Sequence, residues 1–237
     1  MWNTPFSRPS LLAAAVGAVA VVALALAPLK AAEDAVVIPP PATDVPASDG
    51  VQTVVLSGGC FWGVQGVFQH TAGVVSAVSG YSGGSKANAQ YELVSTGTTG
   101  HAESVEVKYD PRKVSYGKIL QIFFSVVHNP TELNRQGPDT GTQYRSAIFT
   151  TSDAQKKVAD AYIAQLDAAK AYPKPIVTKV GTLQAFYPAE SYHQDYLTLH
   201  PSQPYIAYND LPKIENLKKL FAENYQEKPV LVRSVTN

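Results

Sequence analysis

The chain of 237 residues holds one cysteine, and that cysteine sits in Ser57-Gly58-Gly59-Cys60-Phe61-Trp62-Gly63. The preceding run, Val51-Gln52-Thr53-Val54-Val55-Leu56, is rich in β-branched residues and bounded by glycine, so it predicts a buried strand. After it, Phe61, Val64, Val67 and Phe68 recur at helical spacing as far as His70. Cys60 is therefore expected at a helix N-terminus, where unpaired N–H groups and the helix dipole favour an anion and ease formation of a thiolate. A lone cysteine can equally be a small buried hydrophobe, but the flanking glycines and the Phe61-Trp62 pair favour a reactive one. Two adjacent rings supply a large, stiff apolar surface. Such a pocket suits a methyl or thioether group better than a peptide backbone.

A thiolate that attacks an electrophilic sulfur or oxygen needs proton donors for the oxygen that departs. The candidates are Tyr91, Glu103, Asp139 and Tyr144, each in a loop or near an element start. A carboxyl held in an apolar pocket has a raised pKa and stays protonated near neutrality. Each candidate has a structural alternative: a solvated strand Glu, a turn-capping loop Asp, a packed Tyr.

Other chemistries find less support. Gly80-Tyr81-Ser82-Gly83-Gly84 has the G-x-S-x-G spacing of a serine nucleophile, yet Gly83-Gly84-Ser85 is a poor start for the helix such an elbow requires. The five histidines form no metal-ligand spacing with one another or with Cys60, and no P-loop lysine follows the glycines near Cys60. Nineteen basic residues balance nineteen acidic ones, which argues against nucleic-acid binding.

The elements that must position these residues alternate along the chain. Alternating strands are expected at Gly73–Tyr81, His101–Tyr109, Tyr144–Thr150 and Ile176–Leu183, the last closed off by Phe186-Tyr187-Pro188. Helices are expected at Tyr91–Val94, at Tyr116–Val127 behind a Ser115 cap, and at Ser152–Tyr172 with Val158, Tyr162, Leu166 and Ala169 inward. A final helix is expected with Asp210 as cap and Pro212 in its first turn. A long polar loop spans Asn129–Thr142, and Glu190–His200 is aromatic-rich. The pattern predicts an α+β fold, a two-layer sandwich with helices packed against a mixed β-sheet.

The first residues read as targeting sequence. Arg8 precedes an apolar run from Leu11 to Leu29, so residues 1–32 are expected to be a signal peptide or an N-terminal membrane anchor. The run approaches the roughly 18 apolar residues of a membrane span, and if uncleaved it would tether the protein through residues 11–29. Residues 33–50 are proline-rich and are expected to be a stiff linker, leaving 51–237 as the catalytic domain. The domain is thus expected outside the cytoplasm, in the periplasm or on the outer side of a membrane. Such compartments favour disulfides, and a single cysteine can form none within the chain.

Gly59-Cys60-Phe61-Trp62-Gly63, Gly80-Tyr81-Ser82-Gly83-Gly84, Thr99-Gly100-His101-Ala102-Glu103 and Gly141-Thr142-Gln143-Tyr144-Arg145-Ser146 together resemble the A-type peptide methionine sulfoxide reductases. Phe186-Tyr187-Pro188-Ala189-Glu190 and Tyr192-His193-Gln194 extend the likeness, which runs from about Val54 to about Tyr225. The resemblance implies that Cys60 attacks the sulfoxide sulfur while Phe61 and Trp62 hold the substrate methyl group. It implies that Glu103 protonates the oxygen, that Tyr91 and Tyr144 hydrogen-bond to it, and that Asp139 acts at the rim. Pro138 stands where the family leads one to expect a polar residue. Many family members also carry C-terminal cysteines that attack the Cys sulfenic acid, and this chain has none after Cys60. It would bind no cofactor, and an external thiol (thioredoxin-like, glutaredoxin-like or small) would regenerate it. The other readings are a one-cysteine thiol peroxidase, a serine hydrolase using Ser82, and a non-catalytic exported binding module.

Overall fold

A computed structural model describes residues 1–2 and 34–232. The expected signal or anchor lies almost wholly outside the described residues, among which no helix is long and apolar enough to cross a membrane. In chain order the elements are β1 (Gln52–Ser57), α1 (Phe61–Gln69), β2 (Val74–Ser82), α2 (Tyr91–Val94), β3 (Ala102–Tyr109) and α3 (Tyr116–Ile122). They continue with β4 (Arg135–Gln136), β5 (Asp139–Thr140), β6 (Ala147–Thr150), α4 (Asp153–Ala168), β7 (Lys179–Thr182), β8 (Phe186–Pro188), α5 (Tyr196–Leu199) and α6 (Leu211–Leu220).

Six strands form one mixed sheet in the order β7-β6-β1-β3-β2-β8; only the β6–β7 pair is parallel. Helices pack against the sheet, and the fold is α+β as expected. β1 and β3 lie at its centre, so Val54, Leu56, Val105 and Val107 are fully buried with Phe61, Val64, Val67 and Phe68 of α1. Ser115 caps α3 as its spacing predicts, accepting from the Lys118 N–H at 3.1 Å, and Ser152 does the same for α4 from Gln155. Each such cap contributes about 1 kcal/mol.

Three expectations fail for local reasons. Helix α4 ends at Ala168, so Ala169 is exposed rather than inward. The strand expected from Ile176 is shorter, because β7 pairs only where β6 runs beside it. Asp210 does not cap α6: a π-helical turn over Ile206–Asp210 runs straight into the helix, and the carboxylate turns inside instead. It is 0% exposed and paired with Lys213 Nζ at 3.1 Å.

Part of the proline-rich stretch expected as a linker is packed on the domain. Ile38 is buried, and the carbonyls of Val36, Ile38, Pro39 and Pro40 accept from Ser125, Gln121, Tyr162 and Gln165. Asp44 accepts from the Gly117 N–H at 2.8 Å. Prolines lack the N–H that a strand ladder needs, so the carbonyls of this stretch are satisfied by side chains of the domain, those of Pro39 and Pro40 by Tyr162 and Gln165 of α4.

Candidate active site

The site forms where β1 ends. Gly59 has φ of +92°, a backbone that L side chains rarely adopt, and a Cβ there would lie 2.8 Å from Gln136 Cβ. That glycine lets the chain turn from strand to helix beneath the β4–β5 hairpin. Cys60 is then the N-cap of α1. On β3, Glu103 pairs in register with Tyr81 of β2. Its Oε2 accepts from the Phe61 N–H at 3.0 Å.

Burial decides the electrostatics. Cys60 is 9% exposed, and its thiol pKa lies well above the ordinary value because of desolvation and the nearby charges of Glu103, Asp210 and Asp139. The expected activation by the helix terminus is present as the Trp62 N–H interaction, but it loses. A helix end offers an anion about 0.3–1 kcal/mol, whereas burial of an ionisable group opposes charge by several times that. The resting sulfur is a thiol. Glu103, 3% exposed, is pushed up to about 8, first by desolvation and then by Asp139 and Asp210, against the opposing Phe61 N–H bond. At neutral pH it carries a proton.

Tyr91, the first residue of α2, and Tyr144, in a 3₁₀ turn at Thr142–Tyr144, flank this pair. Both hydroxyls have raised pKa values, from desolvation first and then from the charges of Glu103 and Cys60. Both therefore remain donors. Arg145 fixes the Tyr144 turn to the Glu103 strand, donating to the carbonyls of Thr142, His101 and Gly100 at 2.9, 3.0 and 2.8 Å. Pro138 does not displace Asp139. Gly137, with φ of +52°, and Pro138 form the two-residue turn of the β4–β5 hairpin, in which Gln136 pairs with Asp139. Asp139 accepts from the Tyr205 hydroxyl in a short contact, and burial raises its pKa.

Phe61 and Trp62 meet a second set of aromatic residues from the C-terminal part of the chain. Trp62 stacks on Tyr196 with centroids 3.9 Å apart and meets the edge of Tyr205 at 6.0 Å. Its Nε1 donates to His193 Nδ1 at 3.1 Å, and His193 also packs on Phe61 and Tyr91. Glu190 accepts from the Tyr91 N–H at 2.9 Å and from the Tyr81 hydroxyl at 2.8 Å. Buried amides hold this segment down: Gln65 of α1 donates to Gln194 Oε1, and Gln194 donates to the Ser79 carbonyl, both at 2.8 Å.

Phe61, Trp62, Tyr91, Glu103, Asp139 and Tyr144 thus lie around Cys60. His193, Tyr196, Tyr205, Glu190 and Asp210 were missed as site residues. The aromatic stretch Glu190–His200 was a visible signal for His193, Tyr196 and Glu190, but Tyr205 is one of thirteen tyrosines and nothing in its spacing singled it out. Ser82 is buried at the end of β2 and donates to the Ala185 carbonyl at 3.0 Å, which leaves no nucleophile elbow. Among the described residues no group of His, Cys, Asp and Glu is arranged to hold a metal ion.

A buried thiol, a carboxyl whose pKa burial raises and two tyrosine hydroxyls beside an aromatic wall suit the removal of oxygen from a small apolar sulfur group. The peptide methionine sulfoxide reductase family model matches residues 52–225, and the chain belongs to that family, in its A-type, single-cysteine form. Curated relatives carry the same function. The chain is 64% identical to peptide methionine sulfoxide reductase MsrA 2 of Mesorhizobium japonicum, over 82% of this chain and 100% of that protein. It is 50% identical to MsrA 2 of Synechocystis, over 79% and 89%. The fold is similar to methionine sulfoxide reductase A of Corynebacterium diphtheriae (TM-score 0.56, 34% identity, 73% of this chain and 89% of that one). It is also similar to reduced Mxr1 of Saccharomyces cerevisiae (TM-score 0.59, 31% identity, 69% and 95%).

Proposed function

We propose that this methionine sulfoxide reductase acts on the S epimer through a sulfenic acid on Cys60. The observation that carries the reading is a carboxyl protonated at neutral pH, Glu103, anchored to the residue next to the thiol. The sulfoxide methyl group lies against Phe61 and Trp62. Glu103 gives its proton to the sulfoxide oxygen, Tyr91 and Tyr144 donate to that oxygen as charge grows on it, and the sulfur becomes electrophilic. The carboxylate left behind takes the proton of the attacking thiol. Cys60–SH and the sulfoxide R–S(=O)–CH3 thus give Cys60–SOH and R–S–CH3, with two electrons passing from the cysteine sulfur to the substrate sulfur.

Two molecules of an external thiol then return Cys60–SOH to Cys60–SH, releasing water and a disulfide. Support for an outside donor comes from the single cysteine, and a thioredoxin-like, glutaredoxin-like or small thiol would serve. The apolar run after Arg8 supports export and repair of oxidised methionines in extracytoplasmic proteins, with the run either removed or kept as a tether.

Reduction of a separated pair of methionine sulfoxide epimers with dithiothreitol tests the reaction. The S epimer should be consumed, the R epimer spared, and Cys60→Ser inactive. Turnover by Cys60→Ser would overturn the mechanism. Rapid consumption of hydrogen peroxide with no sulfoxide reduction would favour the thiol peroxidase reading.

A further inference from the structure

A buried carboxylate from the C-terminal part of the chain is packed against the helix that follows Cys60. Asp210 lies 0% exposed at the junction of the Ile206–Asp210 turn and α6. It is pressed against the first turn of α1, so that a Cβ on Gly63 would fall 2.1 Å from Asp210 Oδ1. Gly63 is three residues from Cys60 on the same helix start. Beyond burial itself, the Asp210 charge, with those of Glu103 and Asp139, raises the Cys60 thiol pKa; burial raises the Asp210 pKa in turn, and the Lys213 ammonium opposes that rise and favours the carboxylate. Its Oδ1 pairs with Lys213, but its Oδ2 is buried with no hydrogen-bond partner among the described residues. An orphaned carboxylate oxygen is costly to keep in a folded interior and points to a donor that arrives during function.

We propose that Asp210 Oδ2 accepts the hydroxyl proton of the Cys60 sulfenic acid and guards that intermediate until an external thiol arrives. The inference rests on the sulfenic-acid reading above. Without a second cysteine the intermediate must wait for a diffusing partner, and peroxide can carry it further: Cys60–SOH and H2O2 give Cys60–SO2H and water. The deprotonated sulfur species is the nucleophile in such oxidations. A carboxylate that accepts the sulfenic proton disfavours the sulfenate anion by like-charge repulsion and so slows that step. The same contact holds the sulfenic hydroxyl in place, and Glu103, protonated again after the first step, supplies the second proton with which the oxygen leaves as water when a thiol attacks. Glu103, Asp139 and the hydroxyls of Tyr91, Tyr144 and Tyr205 share this surround, and Lys213 fixes the Asp210 carboxylate.

The test begins from the intermediate. The full chain is given one equivalent of methionine sulfoxide without reductant, and intact mass confirms one added oxygen. Half of the sample then receives hydrogen peroxide and half receives dithiothreitol. In Asp210→Asn, whose amide donates where the carboxylate accepted, sulfinic acid should form about tenfold faster, a change of about 1.4 kcal/mol, while reduction by dithiothreitol slows. Gly63→Ala keeps the carboxylate but displaces it and should move both rates in the same directions; it decides the matter if Asp210→Asn does not fold. Unchanged rates would overturn the proposal. Acceleration of both steps would also overturn it, since that is what a merely loosened site produces. Failure of the wild-type chain to gain one oxygen would instead overturn the sulfenic-acid reading itself.

Discussion

Two regions build this site by different means. The end of the sheet supplies Cys60 and Glu103 from the N-cap of α1 and the start of β3, elements fixed by central strand pairing. The C-terminal wrap supplies His193, Tyr196, Tyr205 and Asp210 from short helical turns, held down by buried amides rather than by ladder hydrogen bonds. In the proposed reaction the first region places the groups that exchange protons and electrons. The second supplies the rings packed on Trp62 and, through Asp210, one of the charges that act on the sulfur. A site can therefore keep its reaction on the sheet while the wrap alters what the intermediate encounters.

That division breaks or sharpens with substitutions in each half. The largest effect is expected at Glu103: its replacement by Ala should lower kcat by about 10²- to 10⁴-fold, the range of a positioned general acid. Gln, which still donates a hydrogen bond, should retain much more activity; equal losses would assign the whole effect to proton transfer. Tyr144→Phe should cost about 10²-fold in kcat with little change in KM, as expected for loss of one donor to a developing oxyanion. In the wrap, Tyr196→Ala removes the ring stacked on Trp62. An aromatic pair contributes about 0.5–1.5 kcal/mol, so KM should rise by up to about tenfold and kcat should hardly move. If kcat falls as far as in the Glu103 variants, the two regions do not divide the work.

The last effect is one of stability rather than rate. The Glu103 pKa rises from 4.5 to about 8 in the fold. Between those values the folded protein holds a proton that the unfolded chain has lost, so stability falls as pH rises, by up to about 1.4 kcal/mol per pH unit. Glu103→Gln removes this slope. Urea titrations at pH 5, 6.5 and 8 should show the variant gaining on the wild type as pH rises, and a constant difference would contradict the buried, protonated carboxyl.

The sheet end was largely legible in the sequence because its signals are local. Val54, Val55 and Leu56 followed by Gly58 and Gly59 read as a strand and a turn, and Phe61, Val64, Val67 and Phe68 read as the buried face of a helix. Phe61 and Trp62 as a pocket and Tyr91, Asp139 and Tyr144 as candidate proton donors came from residue type and position, and their particular roles from family resemblance; the structure gathers those residues around Cys60. The wrap was less legible because it rests on long-range pairings of polar side chains. Gln65 with Gln194, and Gln69 with Asp195, leave no periodic trace. Asp210 was misread as a cap because Asp before Leu211-Pro212 has the composition of a helix start. Only the approach of Gly63 from another helix shows why it turns inside. The thiol was misjudged for a related reason: a helix terminus is visible in sequence, and the three carboxyls that converge on Cys60 are distant in it.

The most direct test of the central claim, that a protonated Glu103 drives attack by a resting thiol, is the single-turnover rate of methionine formation from pH 6 to 9.5. The wild-type rate should be level at low pH and fall above about 8, as Glu103 loses its proton while Cys60 still holds its own. Glu103→Gln should show no such fall. A wild-type rate that stays level or climbs through pH 9, or the same alkaline fall in the Gln variant, would contradict the account.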